Sequence, residues 1–187
     1  MGKVPAPERS ADPRACATAA YACGVPRDYA REHLLRFVRE PRYLAFIGHD
    51  TQNRSQWLAP RAARAWLRMR DAAAHANVQL QIVSAFRSAE YQLGILKRKL
   101  ERGLSIEEIL RVSAAPGYSE HHSGRALDLS TPGFAALEEE FENSPAFAWL
   151  STNAQSYGFR LSYPRGNAHG IAYEPWHWCW HNSNPLP

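Results

Sequence analysis

The stretch from Gly117 to Leu129 carries the residue types of a metal site. It contains two histidines, His121 and His122, and an aspartate, Asp128, that lies on an apolar run. Imidazole nitrogens and a carboxylate that one short segment brings together can hold a divalent cation, and zinc is the ion that this set favours. His121 and Asp128 are seven positions apart, too far for one helical turn, so we expect a turn that leads into a strand.

His122 is a competing candidate for the same role. Neighbouring side chains on an extended segment point in opposite directions, so we expect His122 to face away from an ion that His121 binds. The other histidines are predicted to lie on the surface or in loops, and they are His33, His49, His75, His169 and His181.

A second stretch, from Tyr173 to Trp178, offers what a catalytic zinc site would still lack. Such a site has three protein ligands and one open position, and His177 can supply the third ligand. Glu174 can act as the base that takes a proton from the attacking water. Pro175 argues against a helix here, so we expect a bend at Pro175 that turns both side chains inward. In the alternative interpretation the tryptophans belong to the core and His177 is a hydrogen-bonded core histidine.

Helices and strands must position these two stretches. Apolar periodicity and terminal signals predict helices over residues 15–22, 26–39, 59–76, 89–102, 105–112, 135–142 and 144–158. Alternating or continuous apolar runs predict strands over 78–83, 125–130, 159–163 and 171–178, with a strand or packed connector over 43–47. On the strand over 125–130, Leu127 and Leu129 share one face, so Asp128 faces the opposite side.

The order of these elements indicates the fold class. Helices come early and strands come late, without the regular alternation of βαβ units, which favours an α+β fold. We expect a single domain with a mainly antiparallel sheet, helices packed on one side of it, and site residues lining the sheet. The predicted boundaries are a flexible tail over 1–12, an N-terminal helical extension over 13–58 and a catalytic domain over 59–187.

Composition and charge argue against a membrane-spanning or a nucleic-acid-binding protein. The 187 residues suffice for one domain with a sizeable core, and no apolar run approaches the roughly 18 to 20 residues that span a bilayer. A net charge of +4 without a dense block of Lys and Arg argues against a nucleic-acid partner. The N-terminus lacks the apolar segment of a signal peptide, so we expect a cytoplasmic protein or one that has lost a leader.

The three cysteines leave two interpretations open. Cys16 and Cys23 can pair in an oxidising compartment and leave Cys179 free, or all three are reduced thiols. Cys179 together with His181 has the residue types of a cysteine nucleophile and its base. We do not favour that chemistry, because no orienting Asn or Asp block accompanies the pair.

Three blocks of the sequence, taken in order, resemble the D-alanyl-D-alanine metallopeptidases of the VanY type. The run from Ser119 to Asp128 matches the Ser-x-His-x-x-Gly-x-Ala-x-Asp signature of that family, and the run from Glu174 to Trp178 matches its second signature. Residues 84–92 resemble its Ser-x-Tyr-Arg-Ser block, with Phe86 in place of the common Tyr. After the second signature the family often has a basic residue, whereas this chain has Cys179.

The resemblance implies a hedgehog-like α+β fold and a zinc ion held by His121, Asp128 and His177. Glu174 then takes the position of the family's general base. Arg87 takes that of the arginine that binds the substrate carbonyl or the terminal carboxylate. The remaining matched positions are expected to touch the substrate, and they are Ser119, Gln92, Tyr118 and Trp176.

The activity that the resemblance implies is removal of C-terminal D-alanine from peptidoglycan stem peptides, which would place the protein in the cell envelope or periplasm. The alternatives are an L,D-carboxypeptidase that acts on tetrapeptides, a D-Ala-D-Ala dipeptidase, an endopeptidase, and a non-catalytic zinc-binding module of the hedgehog kind. The presence of both Glu174 and Arg87 speaks against the module, because a structural ion needs neither a base nor an oxyanion donor.

Overall fold

Six α-helices and six β-strands form within residues 4–181, the part of the chain that the computed structural model describes. The helices are α1 (Pro13–Ala22), α2 (Tyr29–Glu32), α3 (Pro60–His75), α4 (Ala89–Glu101), α5 (Ile106–Arg111) and α6 (Pro145–Asn153). The strands are β1 (Ala45–His49), β2 (Ser55–Leu58), β3 (Gln81–Ser84), β4 (Ala126–Ser130), β5 (Phe159–Leu161) and β6 (His177–Trp180). Short 3₁₀ turns cover Glu120–Ser123, Glu139–Asn143 and Ala154–Tyr157.

The sheet that carries the site has four antiparallel strands in the order β3, β4, β6, β5, and β1 pairs with β2 in a separate hairpin. Strand β4 lies between two neighbours and is buried along its whole length. Leu127 and Leu129 enter the main core, while Asp128 lies between them on the opposite face. The fold is therefore α+β with a mainly antiparallel sheet, which confirms the class predicted from the order of the elements.

The main core lies between this sheet and the helices α3 and α6. Pro60 occupies the first turn of α3. That helix buries most of the apolar stripe that its periodicity predicts, namely Ala62, Ala65, Trp66, Met69 and Ala73. Ala76, predicted as the last member of the stripe, caps the end of the helix and is exposed. Leu150 of α6 and Phe159 of β5 are fully buried in the same cluster. Each such large side chain stabilises the fold by about 1.5–3 kcal/mol, so this cluster fixes the sheet in place.

A second, smaller core holds α1, α4 and α5 together. Its buried members include Tyr29, Leu96 of α4 and Ile109 of α5. Side chains cap the start of each helix, with Asp12 at α1, Ser88 at α4, and Ser105 in a capping box with Glu108 at α5. The cap at Ser88 matters for the site, because it starts α4 directly after Arg87.

The segment 26–39 is not the continuous helix that its periodicity predicts. Only Tyr29–Glu32 is α-helical, because Leu34 adopts a left-handed backbone conformation with a φ of 51° that cannot continue a right-handed helix. Beyond it the chain has no regular structure, and the amide of Val38 donates to the carbonyl of Gly117 at the start of the first motif.

Other boundaries also differ from the predictions. The last strand begins at His177 rather than at residue 171, because the segment before it forms a turn. A 3₁₀ turn, Glu139–Asn143, stands in place of the acidic helix predicted over 135–142. The segment 13–58, predicted as a helical extension, also contains the hairpin β1–β2, which was not expected as a pair because Ser55–Leu58 is short and has no alternation.

Three smaller points concern the chain ends, the thiols and membrane spans. Residues 1–3 of the predicted tail and residues 182–187 lie outside the described residues. Within residues 4–181, no helix is both long and apolar enough to cross a bilayer. All three cysteines fall in that range, and each is a free thiol.

Candidate active site

The first motif enters the sheet through a tight turn. The 3₁₀ turn Glu120–Ser123 carries His121 and ends at Gly124. Gly124 has a φ of 63°, and a Cβ there would lie 2.9 Å from the amide nitrogen of Ala59, so the position requires glycine. Strand β4 begins two residues later and presents Asp128 from its middle.

Strand pairing brings the second motif to the first. Asp128 of β4 lies directly opposite His177 of β6 in the antiparallel register. His177 Nδ1 is 3.0 Å from Asp128 Oδ1, and His121 Nε2 is 3.2 Å from Asp128 Oδ2. Zinc–ligand bonds of about 2.0–2.2 Å in a tetrahedral site set nitrogen and oxygen ligands about 3.3 Å apart. The three donors therefore stand close to the separations that such an ion requires.

Burial and an unpaired atom indicate that these donors suit a cation. His121, Asp128 and His177 are each at most 4% exposed. His121 Nε2 has no hydrogen-bond partner among the described residues, since its contact with Asp128 lacks hydrogen-bond geometry, whereas buried polar atoms normally have a partner. Two imidazoles and one carboxylate with an open position form the ligand set of a catalytic zinc site, so this cluster is the candidate metal site.

Each of the two histidines is held with one nitrogen free to face the cluster. His121 Nδ1 donates to the carbonyl oxygen of Ala85 at 2.5 Å, which leaves Nε2 free. His177 Nε2 lies 2.9 Å from Glu120 Oε2, which leaves Nδ1. Acceptors on the outer nitrogen of a metal-binding histidine fix its tautomer and its orientation. Glu120 could not be assigned this position from the sequence, because its contact with His177 spans 57 residues of chain.

The charges of the cluster follow from burial and from these contacts. Burial by itself would raise the pKa of Asp128, but the adjacent His121 and His177 hold that pKa well below its usual range. Burial lowers the pKa of His121, and the positive charge of Arg87 lowers it further. For His177, burial is outweighed by hydrogen bonds to Asp128 and Glu120, which raise its pKa to about 10. The cluster is thus anchored on a carboxylate and suited to a cation that replaces a proton.

Glu174 reaches the cluster from a turn. The amide of His177 donates to the carbonyl of Glu174 at 3.0 Å, so the chain bends across Pro175 as the sequence predicts. Glu174 Oε2 is 3.7 Å from His177 Nδ1. Burial raises the pKa of Glu174 to about 7, against the opposing charges of His177 and Arg87. A carboxyl group with a pKa near neutrality can both accept and return a proton.

Arg87 lines another side of the same cleft. Its Nε is buried without a hydrogen-bond partner among the described residues, so the guanidinium has a donor to offer a ligand. His122 supports Arg87 from behind, because His122 Nδ1 donates to the Arg87 carbonyl while its Nε2 accepts from the amide of Gly117. With both nitrogens engaged and no exposed surface, His122 is a structural histidine, whereas its neighbour His121 faces the cleft.

The cleft has a volume of about 390 Å³. Besides the candidate metal ligands, its lining includes Arg87, Lys99, Ser119, Tyr163, Glu174 and Trp176. Lys99 is half-buried, and both burial and the charge of Arg87 lower its pKa. Two cations on the side of helix α4 suit a ligand with an anionic end.

Known proteins share these motifs and this fold. Residues 55–183 match the family described as VanY, D-alanyl-D-alanine carboxypeptidase. The chain belongs to the VanY family. A D-alanyl-D-alanine carboxypeptidase of Enterococcus faecium is 39% identical over 80 residues, which are 41% of this chain and 25% of the relative. The chain spans less than half the length of the curated relatives it matches.

Solved structures give the same fold. The LdcB LD-carboxypeptidase superposes with a TM-score of 0.68 at 30% identity, over 75% of this chain and 69% of that chain. A mutant of the D,D-pentapeptidase VanY from a VanB-type resistance cassette, in complex with Zn(II), has a TM-score of 0.58 at 23% identity. That second match covers 79% of this chain and 87% of the other, and at such identity it supports the fold alone.

Not every residue that was predicted to touch a substrate lines the cleft of this VanY-family chain. Ser119 and Trp176 do so. Gln92 is buried behind the wall of the cleft, where its amide nitrogen donates to Ser113 Oγ at 2.8 Å and to the Ala114 carbonyl at 3.0 Å. Gln92 thereby holds two residues of this wall in place, since Ser113 and Ala114 both line the cleft.

Tyr118 also lies away from the cleft lining. Its ring packs against the second core, and its hydroxyl lies 2.9 Å from that of Tyr21 in helix α1. The position of Tyr118 beside the first motif suggests a site residue in the sequence. Its side chain points to the second core, however, because the cap at Ser119 starts a 3₁₀ turn that changes the direction of the chain.

Proposed function

We propose that this chain is a zinc-dependent carboxypeptidase that removes C-terminal D-alanine from peptidoglycan stem peptides. One arrangement carries the proposal: the three buried donors His121, Asp128 and His177, with Glu174 beside them and the unpaired donor of Arg87 in the same cleft. Membership of the VanY family supports the reaction class. The activity in the name of the Enterococcus faecium relative supports D-alanine as the leaving residue.

The cation would be held through the atoms that the outer hydrogen bonds leave free. These are His121 Nε2, a carboxylate oxygen of Asp128 and His177 Nδ1. Zinc fits because it takes nitrogen and oxygen ligands in a four-coordinate site with one open position, and the VanY structure of similar fold contains Zn(II). When bound, the ion supplies Lewis acidity and a lowered pKa for the attacking water.

Glu174 moves the proton in this scheme. Its carboxylate takes a proton from the water that attacks the scissile carbonyl carbon. When the C–N bond breaks, Glu174 gives that proton to the nitrogen of the departing D-alanine, so the proton balance closes within one residue. Its burial beside His177 keeps the carboxyl group within reach of the reacting atoms.

Arg87 and Lys99 favour a substrate with a free C-terminus. The unpaired Nε of Arg87 can donate to the substrate carbonyl or to the terminal carboxylate, and Lys99 adds a second positive charge to the same cleft. Donors that are already in place when charge develops cost no reorganisation during the reaction. An endopeptidase substrate continues past the cleft and offers no carboxylate for these two cations.

An L,D-carboxypeptidase is the second candidate, and the similarity to LdcB favours it. The two activities share the residues and the proton transfers described above, and they differ in the stereochemistry of the residue before the scissile bond. Both act on stem peptides, so we propose the cell envelope as the place of action in either case.

Release of D-alanine from purified muropeptides tests the proposal. Pentapeptide and tetrapeptide substrates are incubated in parallel with the protein, the protein plus chelator, and the chelated protein with zinc restored, and the products are identified by mass spectrometry. Loss of the last D-alanine from the pentapeptide, abolished by chelator and restored by zinc, is the expected result. Cleavage of the tetrapeptide alone supports the L,D-activity instead. If zinc-loaded protein cleaves neither peptide, the carboxypeptidase proposal is wrong.

A further inference from the structure

A second group of metal-binding side chains lies beside the candidate metal site. Strand β6 alternates its side chains, so Cys179 shares a face with His177, and His181 follows at the end of the strand. Glu120 approaches from the 3₁₀ turn that carries His121. One ligand atom each of Glu120, Cys179 and His181 lies within 4.8 Å of the other two. The mechanism proposed above uses neither Cys179 nor His181.

The chemistry of these three donors is specific. A thiolate, an imidazole and a carboxylate form a mixed soft and borderline set, which selects zinc and similar thiophilic cations over magnesium or calcium. Zinc–sulfur bonds of about 2.3 Å and zinc–nitrogen bonds of about 2.0–2.1 Å place such donors about 3.3–3.7 Å apart. Since the present separations are at most 4.8 Å, they need to contract by no more than about 1–1.5 Å to reach these values. His181 is exposed and Glu120 is partly exposed, so these two side chains can adjust while Cys179 is fixed in the strand.

Glu120 connects the two groups. Its Oε2 lies 2.9 Å from His177 Nε2, and the carboxylate is also within hydrogen-bonding reach of the Ser162 hydroxyl and the Cys179 thiol. A carboxylate can bind a cation through one oxygen and keep a hydrogen bond through the other. Burial and the adjacent Glu120 raise the pKa of the Cys179 thiol, so a cation bound there has to displace the thiol proton.

We infer that Glu120, Cys179 and His181 form a second divalent-cation site, specific for zinc-like ions, on the outer side of His177. Binding there releases the thiol proton of Cys179 to solvent and leaves one coordination position for water. A cation bound there attracts negative charge of the Glu120 carboxylate, which orients His177. Its binding therefore weakens the hydrogen bond that holds His177 in place. The metal-binding part of this inference does not depend on the proposed function. Only the expected effect on turnover rests on it.

Cobalt(II) titration of the metal-free protein distinguishes the two sites. The candidate site with His121, Asp128 and His177 contains no sulfur, so only an ion bound by Cys179 gives a thiolate-to-cobalt charge-transfer band in the near ultraviolet. We expect two equivalents to bind to the wild-type chain, with the band growing during the second. Cys179→Ser is expected to abolish the band and the second equivalent and to keep the first. Cys23→Ser is the matched control and is expected to change neither.

A second variant, at the exposed ligand His181, tests the site without disturbing the buried part of the fold. His181→Ala alters an exposed side chain, and losing a direct ligand is expected to weaken the second equivalent at least as much as the about 10–100-fold that the loss of an outer-shell partner costs. Conversely, His121→Ala is expected to lose the first equivalent and retain the charge-transfer band. Zinc above one equivalent is expected to lower turnover of the wild-type enzyme but not of Cys179→Ser.

Three results would overturn the second site. One is binding of a single equivalent without a charge-transfer band, and another is a band that persists in Cys179→Ser. The third is equal affinity of His181→Ala and the wild-type chain for the second equivalent. Because the cobalt titration reads binding directly, it decides the site even for a chain that cleaves no peptide.

Discussion

The two walls of the cleft are built in different ways. One wall, here called the sheet wall, consists of His121, Asp128, Glu174 and His177, which belong to β4, β6 and the turns that precede these strands. The other, the helical wall, consists of Arg87, Lys99, Ser113 and Ala114, which lie on or beside α4 and α5. The sheet wall holds the candidate ligands and base, and the helical wall holds the cationic side chains of Arg87 and Lys99.

Backbone pairing positions the sheet wall, and side-chain packing positions the helical wall. Asp128 and His177 face each other because antiparallel register aligns them, and a slip of β6 by one residue would turn His177 to the core face. Among the described residues, no pairing of β-strands positions the helical wall. Its placement depends on the second core and on a single buried amide, that of Gln92, which holds Ser113 and Ala114. We therefore expect substitutions on the sheet wall to change chemistry or metal binding and those on the helical wall to change substrate binding.

The largest effect is expected from Glu174→Gln on the sheet wall. The amide keeps the shape of the side chain but cannot take the proton, and general base catalysis contributes about 10²–10⁴-fold in rate. We expect kcat to fall by that factor while zinc affinity, measured by competition with a chromophoric chelator, stays within about twofold of the wild type. A variant that keeps its rate of D-alanine release would show that Glu174 is not the base, and a non-catalytic module would be unaffected throughout.

Arg87→Gln tests the helical wall. Removing one preorganised donor typically costs about 10²–10³-fold, and we expect the loss in kcat/KM on peptides with a free C-terminus. Arg87→Lys keeps the charge but not the planar guanidinium, so its kcat/KM is expected to lie between those of the wild type and Arg87→Gln. Arg64→Gln, at an exposed position of α3, is the control. If the Arg87 variants cleave C-terminally amidated and free peptides with the wild-type ratio, Arg87 does not read the carboxylate.

The sequence predicts the sheet wall better than the helical wall, and the reason is physical. His121 and Asp128 lie within one short motif, and alternation along a strand determines which way Asp128 points, so their proximity can be expected from spacing. Gln92 and Tyr118 match motif positions just as well. Their directions depend on how α4 and the turn after α5 pack, which no local pattern encodes, and neither side chain lines the cleft.

Contacts between distant segments explain what else could not be predicted. The hydrogen bond between Glu120 and His177 depends on the meeting of a 3₁₀ turn and a strand that are far apart in the chain. The end of the helix predicted over 26–39 depends on the left-handed conformation of Leu34, a residue whose type does not favour it. In contrast, the α+β class and helix α3 follow from element order and apolar periodicity, and both are confirmed.

Glu120→Ala measures how far the sheet wall relies on its outer partner. Loss of a carboxylate that orients a metal-binding histidine typically costs about 10–100-fold in metal affinity. We expect that loss in titrations with less than one equivalent of zinc, which measure binding by His121, Asp128 and His177 alone. Glu120→Gln retains an oxygen that can accept from His177 Nε2 and is expected to recover part of the affinity. Glu107→Ala, at an exposed position of α5, should bind zinc as the wild type does, and an unchanged affinity in Glu120→Ala would contradict the role of Glu120.

The smallest effect is expected from Tyr118→Phe, which tests whether Tyr118 belongs to the second core or to the substrate-binding cleft. The hydroxyls of Tyr118 and Tyr21 lie 2.9 Å apart, so Tyr118→Phe removes one hydrogen bond and is expected to cost about 0.5–1.5 kcal/mol in the free energy of unfolding. Tyr21→Phe should cost a similar amount, and the double variant should cost no more than either, because both changes delete the same bond. Denaturant unfolding measures all three, and their KM for D-alanyl peptides is expected to match the wild type. A raised KM in Tyr118→Phe that Tyr21→Phe does not share would place Tyr118 at the substrate after all, since only one of the two hydroxyls could then be in contact with it.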